Sequence, residues 1–436
     1  LSRLKERGEA WAREKAAGDH LPYLAQIDDH TVYLRDGRLM QVVAIEGFLF
    51  ETADTSEINY RKNLRDAMLQ AIGSSRFAVY HHVLRHRVDS HLGASFPDTF
   101  SAELDRTWTA RLDGKRLFSN RLFLCLIRRP LQGRGGSANR LGRFLGRRVQ
   151  DQQAAELAAE RRELDAARET LIAALSPYRP RLLGSYDTLN GPCSEVLEYL
   201  AALYDGELRP IRLPTGDIGQ YLPSRRASFG ADTVELAASG DRPRSFCALI
   251  AVKDYPGQTV PGMLDDLLRL PYELTITQSF GFVDRQAALG RVNLVLRRMR
   301  AADDEALSLR EQLGLARDDL AAGRAAFGEH HLTIAIRSDE QGDLDEGVAE
   351  VQAALTDLGL IAVREDMALE PSFWAQFPGN FAYVPRRALV SSRNFASLAS
   401  MHNFPTGLPS GNHWGQAVTV LETTAAGPYQ IGRAHV

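Results

Sequence analysis

Apolar positions change rhythm repeatedly along this chain, and the changes mark out its elements. Short alternating or continuous apolar runs predict strands at His30–Arg35, Arg38–Glu46, Phe77–Arg85 and Leu122–Ile127. The first two flank Asp36-Gly37, a dipeptide that takes the positive φ angles of a tight hairpin. Helical spacing of Ile58, Leu64, Met68, Leu69 and Ile72 predicts a helix over Glu57–Ile72, capped by Thr55 or Ser56. Another helix is expected around Ser101–Leu112.

The same order returns further on. Strands are predicted at Ser245–Lys253, Tyr272–Gln278, His331–Arg337 and Leu360–Arg364, with helices at Pro261–Leu270, Asp284–Ala326 and Leu344–Leu358. Between the rounds lies a charged helix over Val149–Leu175, with Leu157, Leu164 and Leu171 seven residues apart. Three such positions are too few for a coiled coil, so this helix is expected to pack across a domain surface. The resulting fold class is α+β: two mixed α/β modules, ferredoxin-like in their order, joined by long helices. No residue-level repeat accompanies the repeated order. The expected divisions are residues 1–185, an N-terminal docking domain, then 186–370, a central domain, then 371–430.

Composition narrows the class without choosing a function. A chain of 436 residues, 44% hydrophobic and 25% charged, is ordinary for globular protein. No apolar run is long enough to span a bilayer. The three cysteines, Cys125, Cys193 and Cys247, have no metal or redox spacing. The only Gly-Lys pair, Gly114-Lys115, is followed by Arg116, so no phosphate-cradling G-x-x-x-x-G-K-[ST] loop is present in these residues. Neither a G-x-S-x-G elbow nor an H-E-x-x-H helix occurs. His81, His82, His86 and His91 cluster, but on a strand and without acidic or thiol partners at ligand spacing, so no metal is expected.

Net charge is −3, yet its distribution is uneven. From Gly114 to Gln150 there is no acidic residue and there are ten basic ones. Arg128, Arg129, Arg134, Arg140, Arg143, Arg147 and Arg148 form the candidate basic surface. It is either a solvated loop or a contact for anionic lipid, nucleic acid or an acidic partner, with lipid or protein ahead of nucleic acid because few aromatics interleave.

The last third carries the most specific pattern. It holds Phe373-Trp374, Pro378-Gly379-Asn380, Arg386-Arg387, Ser391-Ser392-Arg393-Asn394 and Gly411-Asn412-His413-Trp414-Gly415, then Thr419 and Leu421-Glu422-Thr423. In this order the residues resemble the conjugative-transfer ATPases of type IV secretion systems, the CagE/TrbE/VirB family. The proline, glycine and asparagine predict a sharp turn, and Trp414 an anchoring side chain. Maintenance of the fold is favoured over direct ATP contact for these positions.

The resemblance implies a bacterial cytoplasmic ATPase, peripheral at the inner membrane, that energises pilus assembly and transfer of DNA or protein. It implies inner-membrane and other ATPase subunits as partners, and a hexamer. It also implies that residues 371–430 lead into a RecA-like motor. On this reading the chain ends at the first strand of that missing domain, so catalytic and cofactor-binding residues are absent here, and ATP and Mg²⁺ belong to the intact parent. Residues 431–436, Ile-Gly-Arg-Ala-His-Val, match the translation of a common sequencing adapter and are expected to be an artefact. The competing expectation is a complete, non-catalytic scaffold that binds lipid or nucleic acid through the basic stretch.

Overall fold

The computed structural model describes residues 15–88, 98–113, 115–130, 147–301, 307–408, 410–411 and 416–432. The first module opens with the hairpin β1 (Tyr23–Gln26) and β2 (Val32–Leu34), then β3 (Leu39–Ile45). Gly37 turns the chain between β2 and β3 at φ +87°, as the Asp-Gly pair predicts. Helix α1 (Thr55–Ala71), β4 (Phe77–Val88), α2 (Thr99–Asp113), β5 (Leu117–Arg128), α3 (Arg147–Ala174) and β6 (Pro180–Leu182) complete it. Asp54, rather than Thr55 or Ser56, caps α1 by accepting from the Glu57 amide at 2.8 Å.

After a segment containing α4 (Glu195–Asp205) and the short α5 (Ile218–Tyr221), the sequence of elements repeats. The hairpin β7 (Ala227–Phe229) and β8 (Val234–Leu236) precedes β9 (Ser245–Asp254). A 3-10 turn at Asp265–Arg269 leads to β10 (Glu273–Phe282). The helical hairpin α6 (Arg285–Ala301) and α7 (Leu307–Ala321), β11 (Phe327–Ser338), α8 (Gln341–Asp357) and β12 (Ile361–Arg364) follow.

Pairing shows that the repeat is real. Within the first module the strands lie β6-β3-β5-β4, and within the second β12-β9-β11-β10, all antiparallel. Numbered within each module this is the order 4-1-3-2 of a ferredoxin-like sheet. The hairpins correspond as well: β2 pairs β3 beside β6, and β8 pairs β9 beside β12. The modules then join edge to edge, β4 against β10, from Arg85 opposite Leu274 to Ala78 opposite Gly281. Joining the two second strands removes an exposed edge from each module and produces one continuous thirteen-stranded sheet.

Each face of the sheet carries one core, and each core draws on both modules. Along β5, Leu122, Leu124 and Leu126 face one core, with α1, α3 and α8, while Phe123, Cys125 and Ile127 face the other, with α4. Helix α3 packs as its leucines predict, with Leu164 and Leu171 buried. Helix α4 is buried from Val196 to Tyr204 except at Glu198, capped by Ser194 and ended by Gly206 at φ +87°. A helix apolar on all but the side of Glu195 and Glu198 belongs within a layer. The division near residue 185 therefore separates two repeats of topology but not two cores.

Residues 369–404 are built into the same body, through α9 (Leu369–Ala375), β13 (Ala388–Ser391, on β11) and α10 (Ser392–Leu398). Beyond them β14 (Ala417–Glu422) and β15 (Pro428–Gly432) form a separate hairpin. Ile431 and Gly432, from the stretch expected to be adapter-derived, pair within it, and 433–436 lie outside the described residues. No helix among the described residues is long and apolar enough to cross a membrane.

Candidate functional site

The residues singled out near the end of the chain converge on the seam between the modules. Phe373, Trp374 and Phe377 are all but inaccessible to solvent and pack on the face covered by α4. Phe373 meets Tyr204 edge-on at 5.8 Å between ring centroids, and Trp374 stacks on His20 at 4.6 Å. Such rings contribute more than their area alone, because their quadrupoles favour these tilted and offset contacts.

The turn that follows clasps the first module. The Tyr23 hydroxyl donates to the Pro378 carbonyl at 3.0 Å. Gly379 adopts φ +99°, and its carbonyl accepts from Arg38 Nη1 at 2.5 Å. A Cβ at this position would stand 2.5 Å from Leu34 Cδ2, so both conformation and space demand glycine. Asn380 Nδ2 donates to the carbonyls of His20 and Trp374, each at 2.9 Å. His82 supports the clasp from below: its Nε2 donates to the Gln376 carbonyl at 3.0 Å and its Nδ1 accepts from the Tyr199 hydroxyl at 2.8 Å.

Downstream, the motif ties other elements. Arg386 grips the buried Glu365 carboxylate with two nitrogens, at 2.8 and 3.1 Å. Arg387 pairs with Glu329 of β11 at 3.1 Å and donates to the Phe381 carbonyl. Ser391 caps α10 by accepting from the Asn394 amide at 3.2 Å, while the rest of Asn394 faces solvent. Ser392 is fully buried, and its hydroxyl donates to Asp66 of α1 at 2.5 Å. Gly411 is exposed at φ +73° with open space around it. Asn412, Trp414 and Gly415 lie outside the described residues.

The basic surface needs correction at its first two members. Arg128 is 3% exposed and pairs with Glu160 at 2.6 Å and Glu163 at 3.1 Å, both on α3. Burial raises the Glu163 carboxyl, but hydrogen bonds from Arg76 and Arg128 outweigh it and hold the group below its usual range. Arg129 turns inward and donates to the carbonyls of Phe77 and Phe282, at 2.8 and 2.6 Å. Burial lowers its pKa to about 10, assisted by Arg38. The absence of acid between residues 114 and 150 hides this arrangement, because the partners sit one element further along. Arg134, Arg140 and Arg143 lie outside the described residues, and Arg147 and Arg148 open α3.

The histidines on β4 behave as core residues. Burial lowers His81 and His82 to about 3 and His86 to about 4, so all three are neutral near pH 7. No group of three or more metal-ligating side chains with suitable geometry occurs among the described residues. Pattern reading missed a second buried pair, His402 Nδ1 with Asp265 Oδ2 at 2.6 Å, because the two are 137 residues apart. Around the motif, then, the geometry performs mechanical coupling: the segment after β12 is bonded to the β1–β3 hairpin region, α1, β4 and β11 together.

The comparisons agree with the motif. Residues 30–135 match the N-terminal domain of the type IV secretion system ATPase VirB4/TrbE, and residues 181–386 match the CagE, TrbE, VirB family, component of type IV transporter system. The virB4 proteins of Bartonella henselae and Bartonella quintana are 35% and 34% identical over 417 residues, covering 96% of this chain. That of Agrobacterium fabrum is 31% identical over 424 residues. The chain spans about half the length of these relatives, 53% in each case. The chain belongs to the CagE/TrbE/VirB family of type IV secretion components.

Proposed function

We propose that this chain is the adapter portion of a type IV secretion ATPase, one that energises pilus assembly and the transfer of DNA or protein substrates. Similarity to VirB4 proteins along 96% of the chain carries the reading. In the parent, ATP and Mg²⁺ act in a RecA-like domain, and the two modules dock that motor to inner-membrane subunits and to neighbouring copies in a hexamer. The clasp supports a docking role, since it binds the segment after β12 to both modules at once.

The test has two arms. The purified chain shows no saturable ATP turnover and no nucleotide-dependent thermal shift, because it lacks a phosphate-cradling loop. It also co-purifies with inner-membrane type IV secretion subunits when co-expressed with them. Saturable ATPase activity, or failure to capture any of those subunits, overturns the assignment.

A further inference from the structure

A cavity of about 50 Å³ lies at the seam between the modules. Arg129 reaches it from just after β5. Ser279 and Gly281 of β10, Glu329 and His331 of β11, and Arg387 after the clasp form the other walls. One water requires roughly 10–15 Å³ of such space, so there is room for a larger occupant.

Two wall atoms are buried with no partner in the chain, Arg129 Nε and His331 Nε2. Leaving such atoms unsatisfied is costly, so the cavity calls for a polar guest. Their chemical roles are opposite. Arg129 Nε carries a hydrogen and donates. His331 is 1% exposed, and its Nδ1 donates to the Arg386 carbonyl at 2.9 Å, which leaves Nε2 as a bare acceptor. Burial lowers the pKa of this ring to about 4, so it stays neutral near pH 7.

Charge limits the guest further. Glu329 is the acidic wall residue, and its two oxygens are engaged by Arg291 at 2.7 Å and Arg387 at 3.1 Å. Arg129 and Arg38 both stand near the Phe381 ring at the rim, at 5.8 and 4.9 Å from its centroid. The field in the cavity is therefore positive. A Cβ at Gly281 would lie 3.4 Å from Arg129 Nη1, so glycine preserves room beside the guanidinium.

The guest must be an anion that accepts from arginine and also donates a hydrogen to His331. Carboxylate and sulfate accept but carry no proton near neutral pH. Hydrogen phosphate does both. The geometry points to a binding site for inorganic hydrogen phosphate, built from Arg129, Arg387, Ser279 and His331. It goes beyond the proposed secretion role; of its walls Arg387 also belongs to the family motif, where it pairs with Glu329.

Isothermal titration of the purified chain in chloride buffer at pH 7.5, with phosphate, sulfate or acetate as titrant, tests the site. Phosphate binds saturably at one site, about tenfold or more tighter than sulfate, since sulfate leaves His331 Nε2 unpaired. Arg387→Gln weakens phosphate about tenfold by removing a charged donor from the half-exposed wall. Arg116→Gln, which removes a cation paired with Asp343 away from the cavity, leaves binding unchanged. Sulfate or acetate binding as tightly as phosphate, or full affinity in Arg387→Gln, refutes the assignment. Absence of saturable phosphate binding also refutes it and leaves the cavity to water.

Discussion

Lowering the pH from 7 to 5 perturbs one set of groups more than any other, the histidines sealed inside the central strands. His81, His82 and His330 are fully buried, and burial lowers each to about 3 from an unfolded value of 6.5. The folded protein thus binds fewer protons than the unfolded chain. Their contribution is intact above pH 6.5 and is lost as pH falls toward the folded values. At pH 5 each group has lost about 2 kcal/mol, from about 1.4 kcal/mol per pH unit, so the three together forfeit about 6 kcal/mol. Domains of this kind have about 5–15 kcal/mol in total, so much of the stability should disappear between pH 6.5 and 5. Carboxylates whose pKa is held low, such as Glu163 and Glu329, titrate from 4.5 downward and do not act in this window. Urea unfolding followed by circular dichroism at pH 7, 6 and 5 gives the measurement. A midpoint that stays constant from pH 7 to 5 would refute the burial of these rings.

Gly379→Ala forces a side chain into a positive-φ turn and against Leu34, and should lower stability by about 2 kcal/mol in thermal or urea melts. Trp374→Ala opens the aromatic cluster and should cost about 3–5 kcal/mol by the same assay. Arg128→Gln takes the paired cation from Glu160 and one of two from Glu163, which keeps Arg76, and should cost about 2 kcal/mol, whereas the triple variant of Arg134, Arg140 and Arg143 to Gln should leave the melt unchanged. That triple variant should also abolish low-salt co-sedimentation with anionic liposomes; binding that survives it locates any lipid contact elsewhere.

The elements were legible because both modules are made of long, locally patterned pieces. β11 and α8 could be read from their periodicity to within a few residues, and the repeated order of strands and helices showed through without any residue-level repeat. What the chain could not announce was pairing at a distance. Arg128 reads as one more cation in a basic run until α3 brings Glu160 and Glu163 over it. Similarly, the signature Pro378-Gly379-Asn380 predicts a turn from its own φ preferences, but only the fold places Leu34, Arg38 and Tyr23 against it. The buried histidines show the same limit, since a strand reading Tyr80-His81-His82-Val83 gives no sign that a second module will seal its edge.

That edge explains why the motif residues are so specific. A ferredoxin-like module alone leaves its second strand open, and two such modules could pair there in registers two residues apart, because a slip of two keeps every side chain on its own face. In this chain the join is pinned from outside the strands. Pro378, Gly379 and Asn380 hold the first module's hairpin, Ser392 holds α1 through Asp66, and Arg387 holds β11 of the second module through Glu329. Sliding β4 along β10 by two residues, about 7 Å, would break either the ties to the first module or the tie to the second. The segment from Leu369 to Leu398 therefore reinforces the register that the β4–β10 ladder makes, because it is bonded to both modules at once.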